Sequence, residues 1–301
     1  MAFKSPPEIT TASVEVGFNK AHMSPDKMLV GGFLAGAYIA FAGLLAITAS
    51  AGLDPAKVGG VITLITGSVF TLGLILVVIA GSELLTGNMA LVPLALLSKR
   101  VSIGRLSLNF AVVLIGNLIG SLFVAYFLAV KTGVVTGEQP LARLGQIATA
   151  KGVTETDWQI FLRALGCNWL VCLAVWMAIA ADDIGGKVLA IFFPIMAFVA
   201  MGFDHVVANM FFIPAAIFAH VQGIGWDDAL KNWVFAFLGN LVGASVFVSG
   251  AYWYLYGRPA PPEATAGGVH AGDRQTQVAG DGDGDGDGDG RRALGERLPS
   301  A

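Results

Sequence analysis

The sequence predicts an all-α membrane protein: six transmembrane helices in two inverted three-helix repeats, with the second and fifth helices broken. Three observations carry that expectation. The chain of 301 residues is 55% hydrophobic and 13% charged, with a mean hydropathy of +0.71; a water-soluble domain of this length needs far more surface charge. Its apolar segments reach the ~20 residues that a helix needs to cross a bilayer core of about 30 Å. Finally, Gly81-Ser-Glu83-Leu-Leu-Thr86-Gly-Asn88-Met returns 121 positions later as Gly202-Phe-Asp204-His205-Val-Val-Ala-Asn209-Met. Each copy interrupts an overlong apolar run, and paired interruptions of this kind point to a transport site near the bilayer midplane.

Taken in chain order, residues 1–27 carry Lys4, Glu8, Glu15, Lys20 and Asp26 and no uninterrupted apolar stretch, so no cleavable signal peptide is expected there. Residues 8–22 read as a short amphipathic helix, with Ile9, Val16 and Phe18 on its apolar side, lying on the membrane surface or over a pore mouth. The first span covers 28–52 after the helix-start signal Ser24-Pro25-Asp26. The second, 61–97, is too long for one straight helix, and Gly81 and Gly87 bracket its break. The third covers 106–130, and the fourth 158–181 behind Asp157 as cap. The fifth, 188–219, breaks around 202–209 between Pro194 and Pro214. The sixth covers 233–256, with Trp233, Tyr252, Trp253, Tyr254 and Tyr256 at positions suited to the membrane interface.

The repeat extends to Gly116-Asn117-Leu-Ile-Gly120, matched by Gly239-Asn240-Leu-Val-Gly243. Three spans per copy force the second copy to insert upside down, which brings both breaks to one depth from opposite sides. Eight basic residues up to Arg258 fall on the side of the termini, against five on the other (Lys57, Lys131, Arg143, Lys151 and Lys231), which places both termini in the cytoplasm. The domain reading is therefore a cytoplasmic N-terminal segment (1–27), a six-helix channel domain (28–257) and a disordered Gly/Asp-rich cytoplasmic tail (258–301). The tail's Asp-Gly repeats lack the acidic ligand that a calcium loop needs at its twelfth position, where Arg292 stands. Cys167 and Cys172 lie five apart in one apolar run with no neighbouring ligand, so neither a metal nor a disulfide is expected, and no cofactor. Scattered basic residues and a net charge of -3 give no sign of nucleic-acid binding.

Lipid offers no hydrogen bonds, so each break must be satisfied within the protein or line a cavity. The half-helices starting near Asn88 and Asn209 point their positive N-terminal dipoles inward, which favours an anion. Gly81 and Gly202 would turn the chain. Glu83 and Asp204 are expected to accept hydrogen bonds from the freed N–H groups and hold the breaks in shape. His205 is the histidine within the apolar depth, and an ionisable side chain there is a functional candidate. Thr86, in the other break, would bring a hydroxyl to the same point. Around the breaks stand Phe70, Leu74, Leu84, Leu85, Val171 and Phe198; their periodicity alone fits helix packing as well as a pore lining. The glycine pairs 32/36, 116/120 and 239/243 have the spacing of close helix contacts.

These motifs, with Asn168-Trp-Leu-Val-Cys-Leu-Ala-Val-Trp176 and the run from Gly202 to Pro214, resemble the formate/nitrite transporter family over residues 8–256. The resemblance implies a homopentamer of aquaporin-like protomers in the cell membrane that conducts small monovalent anions. It implies His205 as the central histidine and Thr86 as its loop partner. Asn168 and Asn240 would be pore asparagines, and Lys151 a vestibule lysine. Phe70, Leu74, Val171 and Phe198 would form two hydrophobic constrictions, with Leu84 and Leu85 beside the loop. Formate is the first expected substrate, with nitrite, hydrosulfide and acetate as alternatives. A proton passing through His205 is one mechanism, and simple hydrogen bonding to the anion another. Among rival classes, an aquaporin-type neutral-solute channel would carry Asn-Pro-Ala, where this chain has Gly87-Asn88-Met89 and Ala208-Asn209-Met210. A membrane enzyme would need clustered ligands, and a non-conducting scaffold would show no flux.

Overall fold

A computed structural model describes residues 3–258; the Gly/Asp tail expected at 258–301, with its calcium question, lies almost entirely outside them. The described residues are all-helical apart from one isolated backbone bridge, Phe3 to Ala181. Ten main helices organise them, besides a single turn at Pro55–Val58: α1 Pro6–His22, α2 Pro25–Ser50, α3 Val61–Gly81, α4 Leu85–Leu97, α5 Ile103–Val130, α6 Glu138–Thr149, α7 Asp157–Ala180, α8 Ile184–Ala200, α9 Val206–Phe218 and α10 Trp226–Gly257. Five of them (α2, α3, α5, α7 and α10) are long and apolar enough to cross a membrane. The shorter α4, α8 and α9 are apolar as well.

Apolar side chains fill the interior and also cover the outside, with a few polar groups buried among them. Ile115, Phe127 and Val246 on the long helices and Leu189 and Phe193 on α8 are exposed, while Asn109, Asn117, Asn168, Asn232 and Asn240 are fully buried. The half-helices α4 and α9 lie at the centre, with nearly every residue of both enclosed. Two tight pairs hold the outside frame. In α2 against α5, a Cβ added to Gly32 would sit 3.1 Å from Gly116 Cα, and one on Gly36 would collide with the Asn117 carbonyl. In α7 against α10, Gly239 and Gly243 press on the Phe161 and Leu165 carbonyls in the same way. Small residues at this spacing let the backbones approach closely enough for dispersion to hold helices together without a hydrophobic drive.

A cap, a packing face and one helix differ from the sequence reading. The cap of α7 is Thr156, whose Oγ1 accepts from Gln159 N–H at 3.3 Å and whose own N–H donates to Gln159 Oε1 at 2.9 Å, so Asp157 is already helical. Helix α1 buries Ile9, Thr10, Ser13, Gly17 and Ala21, a strip of small residues; Val16 and Phe18 are half-exposed at its margin. A Cβ on Gly17 would overlap the Leu91 carbonyl, so α1 packs tightly on α4 as part of the bundle. Helix α6, continued by wide turns through Ala150–Thr154, falls in a stretch assigned no element from sequence.

Candidate functional site

The site grows from two interruptions built alike. Helix α3 ends at Gly81 with φ +80°, and α8 gives way to Gly202 with φ +73°. Glycine adopts this left-handed turn without the Cβ penalty. Beyond each turn the chain runs extended into a half-helix, through Leu84 into α4 and through His205 into α9.

The freed backbone groups meet two asparagines. Leu85 N–H donates to Asn117 Oδ1 at 2.9 Å, while Asn117 Nδ2 donates to the carbonyls of Glu83 (2.9 Å) and Gly32 (2.8 Å). In the second half, Val206 N–H donates to Asn240 Oδ1 at 2.9 Å, and Asn240 Nδ2 donates to the carbonyls of Asp204 (2.9 Å) and Ala164 (2.8 Å). This corrects the expectation that Glu83 and Asp204 cap the breaks. An interrupted backbone offers both a donor and an acceptor; an amide answers both, whereas a carboxylate only accepts.

The carboxylates hold a second layer. Glu83 receives Lys20 Nζ at 2.7 Å and Asn88 Nδ2 at 2.9 Å, and Asp204 receives Lys151 Nζ at 3.0 Å and Asn209 Nδ2 at 2.8 Å. Asn88 also donates to Asn109 Oδ1 (3.0 Å), whose amide reaches the Lys20 carbonyl (3.0 Å). Asn209 donates to Asn232 Oδ1 (2.9 Å), whose amide reaches the Lys151 carbonyl (3.1 Å). These bonds match between the halves, and the second half adds Lys151 Nζ to the Phe203 carbonyl and Asn232 Nδ2 to Asp204 Oδ1. Buried, paired charges of this kind fix geometry more than they add stability.

His205 caps α9 with its own ring: Nδ1 accepts from Ala208 N–H at 3.1 Å, and Nε2 lies 2.8 Å from Thr86 Oγ1. An Nδ1 that accepts carries no hydrogen, so the proton is on Nε2 and is donated to Thr86. The ring is neutral and tethered at both nitrogens. Behind Thr86, Cys172 Sγ and Asn168 Nδ2 donate to its backbone carbonyl at 3.3 and 3.1 Å, and Asn168 also donates to the Asn240 carbonyl at 2.9 Å.

Two cavities approach this centre. One, of about 550 Å³, is lined by Lys20, Lys27, Leu74, Glu83, Leu84 and Asn88 among others. The other, of about 310 Å³, is lined by Phe70, Arg143, Lys151, Phe198, His205 and Asn209 among others. Between them a neck of about 10 Å³ is walled by Ile39, Phe70, Leu74, Leu84, Val171, Ile195, Phe198 and His205. It shares Leu74 and Leu84 with the first cavity and Phe70, Phe198 and His205 with the second. A space of this size is at the threshold for a single water.

The Formate/nitrite transporter family matches residues 7–254. The chain belongs to that family. It is 47% identical over 272 residues to a "Probable formate transporter" of Methanothermobacter thermautotrophicus, covering 85% of this chain and 98% of the relative. Among solved structures it resembles an "FNT family ion channel" (TM-score 0.76, 31% identity, 82% of this chain and 98% of that one) and a "Pentameric formate channel with formate bound" (TM-score 0.68, 32% identity, 78% and 98%). Family membership and the apolar spans make the chain a multi-pass membrane protein of a transporter family.

Within this family member the expected site residues divide. Phe70, Leu74, Leu84, Val171, Phe198 and His205 come together at the neck. Leu85 does not: it is fully buried at the start of α4, because the extended residue before the helix turns Leu84 inward instead. Asn168 and Asn240 line neither cavity; their amide N–H groups are donated to backbone carbonyls. Lys151 lines the smaller cavity but is paired with Asp204 and the Phe203 carbonyl (3.1 Å). Sequence reading missed Ile39, Ile195, Lys20, Asn109 and Asn232. The asparagines left a signal, since each stands eight residues before its Gly-Asn partner, Asn109 before Asn117 and Asn232 before Asn240. Lys20 left none, because its half of the network comes from a helix outside the repeat.

Proposed function

We propose that this chain forms a homopentamer in the cell membrane, each protomer crossing six times with both termini cytoplasmic and conducting formate through its own centre. The observation that carries the reading is the neck. It is apolar except for one imidazole, and on either side a cavity ends on a lysine paired with a carboxylate. Counting α3 with α4 and α8 with α9 as single interrupted spans gives the six crossings, and the matched bonding networks support the inverted repeat. Formate comes first because the compared relatives are described as formate transporters and channels. Nitrite and hydrosulfide are the alternative substrates within the family. We read the protein as a conduit and not an enzyme.

Moving a bare carboxylate into so small an apolar space costs several kcal/mol, so passage as the neutral acid is favoured. His205 suits the role of a fixed polar contact better than that of proton donor: charging it would set a new Nδ1 hydrogen against Ala208 N–H. The lysine-bearing cavities would gather anions on either side. The test is flux in proteoliposomes with formate, nitrite, hydrosulfide and acetate side by side, set against water and glycerol swelling. Formate uptake is expected to exceed the rest; swelling without anion flux would overturn the reading in favour of a neutral-solute channel. In His205→Phe, uptake is expected to fall while the remainder keeps its pH dependence. Loss of that dependence together with the imidazole would restore histidine as the donor.

A further inference from the structure

Glu155 takes no part in the paired networks. It follows the last wide turn of Ala150–Thr154, immediately before the Thr156 cap of α7, and lines the smaller cavity with only 6% of its surface exposed. Its Oε1 is bonded to Arg163 Nη1. Its Oε2 is buried and has no hydrogen-bond partner among the described residues, and the same holds for Oδ2 of the fully buried Asp204. The two carboxyl groups face each other within hydrogen-bonding reach. Two carboxylate oxygens cannot bond to each other, but a carboxylic acid and a carboxylate can, and a single hydrogen between them satisfies both orphans.

We infer that Glu155 and Asp204 share one proton, Glu155 as the acid and Asp204 as the carboxylate, and that this dyad is a proton-binding site setting the charge the smaller cavity shows to an incoming anion. The division of roles follows from their partners. Asp204 Oδ1 receives Lys151 Nζ and Asn209 Nδ2, which stabilise the ionised form, whereas Glu155 has Arg163 alone. Burial first, and then the Asp204 carboxylate, push the Glu155 carboxyl up to about 7, with Lys151 and Arg163 pulling the other way. Other ionisable groups face this region. Arg143, from α6, donates to Ser50 Oγ (2.9 Å), Thr66 Oγ1 (3.4 Å) and Gln146 Oε1 (3.3 Å) and forms no ion pair among the described residues. His205 lies across the cavity, and Asp228, whose Cβ lies beside Gly152, is engaged in capping α10.

With the proton in place, Lys151, Arg163 and Asp204 leave the cluster one positive charge, and Arg143 adds another. When solvent takes the proton, Lys151, Arg163, Asp204 and Glu155 sum to zero and only the Arg143 charge remains. Lower pH therefore makes the cavity more attractive to anions. A group with a pKa of about 7 is about nine-tenths protonated at about pH 6 and about one-tenth at about pH 8, so the change spans the neutral range. The consequence for anions rests on the transport reading; the shared proton does not.

Infrared pH titration of the full-length protein in liposomes, with formate uptake measured on the same samples, separates the two. The wild type is expected to show a carboxylic-acid C=O band that disappears as pH rises through about 7, and Glu155→Gln to lack it while its uptake declines much less between about pH 6 and about pH 8. No titrating carboxylic band in the wild type, or an undiminished band in Glu155→Gln, would overturn the dyad even if formate still flows. A band that behaves as expected in protein without anion flux would uphold the dyad and sink the transport reading. The wild-type titration decides the shared proton even if Glu155→Gln does not fold.

Discussion

Replacing Asn240 with alanine tests whether the interruptions are held by amides. The change removes one hydrogen bond accepted from Val206 N–H and two donated to the carbonyls of Ala164 and Asp204. The Ala164 carbonyl belongs to α7 and keeps its helical partner, but the Val206 N–H and the Asp204 carbonyl sit in the break with nothing else in reach. Side-chain hydrogen bonds between membrane helices average below about 1 kcal/mol, because the unfolded reference state also finds partners. An orphaned backbone group in a site closed to water costs about 1–3 kcal/mol. Two orphans dominate, and Asn240→Ala is expected to destabilise the protein by about 2–6 kcal/mol. Asn117→Ala removes the matching set from Leu85, Glu83 and Gly32, so its cost falls in the same range. Reversible unfolding in mixed detergent micelles measures both. Losses below about 0.5 kcal/mol in both variants would refute the account, as would a large loss in one and none in the other.

Lys151→Met strands a fully buried Asp204 and should destabilise by about 3–5 kcal/mol, more than Lys20→Met, whose Glu83 keeps slight exposure; unfolding curves for the two variants give the order, and the reverse order would contradict the burial argument. Gly36→Ala and Gly243→Ala drive a methyl into the Asn117 and Leu165 carbonyls and should cost about 1–3 kcal/mol or more, whereas Gly60→Ala, with open space around it, should stay within about 0.5 kcal/mol. Because the Glu155 carboxyl is raised in the fold, the folded protein binds more protons than the unfolded chain between the ordinary carboxylate range and about pH 7. The stabilisation is complete at acid pH and is lost as pH rises through about 7, so thermal stability of the wild type should decline across that window and that of Glu155→Gln should not.

The membrane class, the apolar spans and the location of both breaks were legible because they are written in local runs. Hydrocarbon thickness fixes span length, and a break must carry the residues that bend it, so Gly81 and Gly202 announce themselves. His205 and Thr86 were legible as a pair because the repeat placed them at equivalent breaks. Helix α6 escaped because an amphipathic helix of mixed polarity lacks the continuous apolar signal of its neighbours. Leu85 was misplaced for a different reason: whether it or Leu84 faces the neck depends on where the extended strand gives way to helix, and a shift of one residue turns a side chain by about 100°.

What the sequence determined by itself is therefore the class, the repeat and the two interruptions, since each follows from neighbours in the chain. The tertiary structure alone decided which polar groups meet: Lys20 with Glu83, Lys151 with Asp204, and Asn117 and Asn240 with the broken backbones. In an apolar interior a polar group must find whatever partner lies across the bundle, and that partner's place in the chain is set by packing and leaves no local trace.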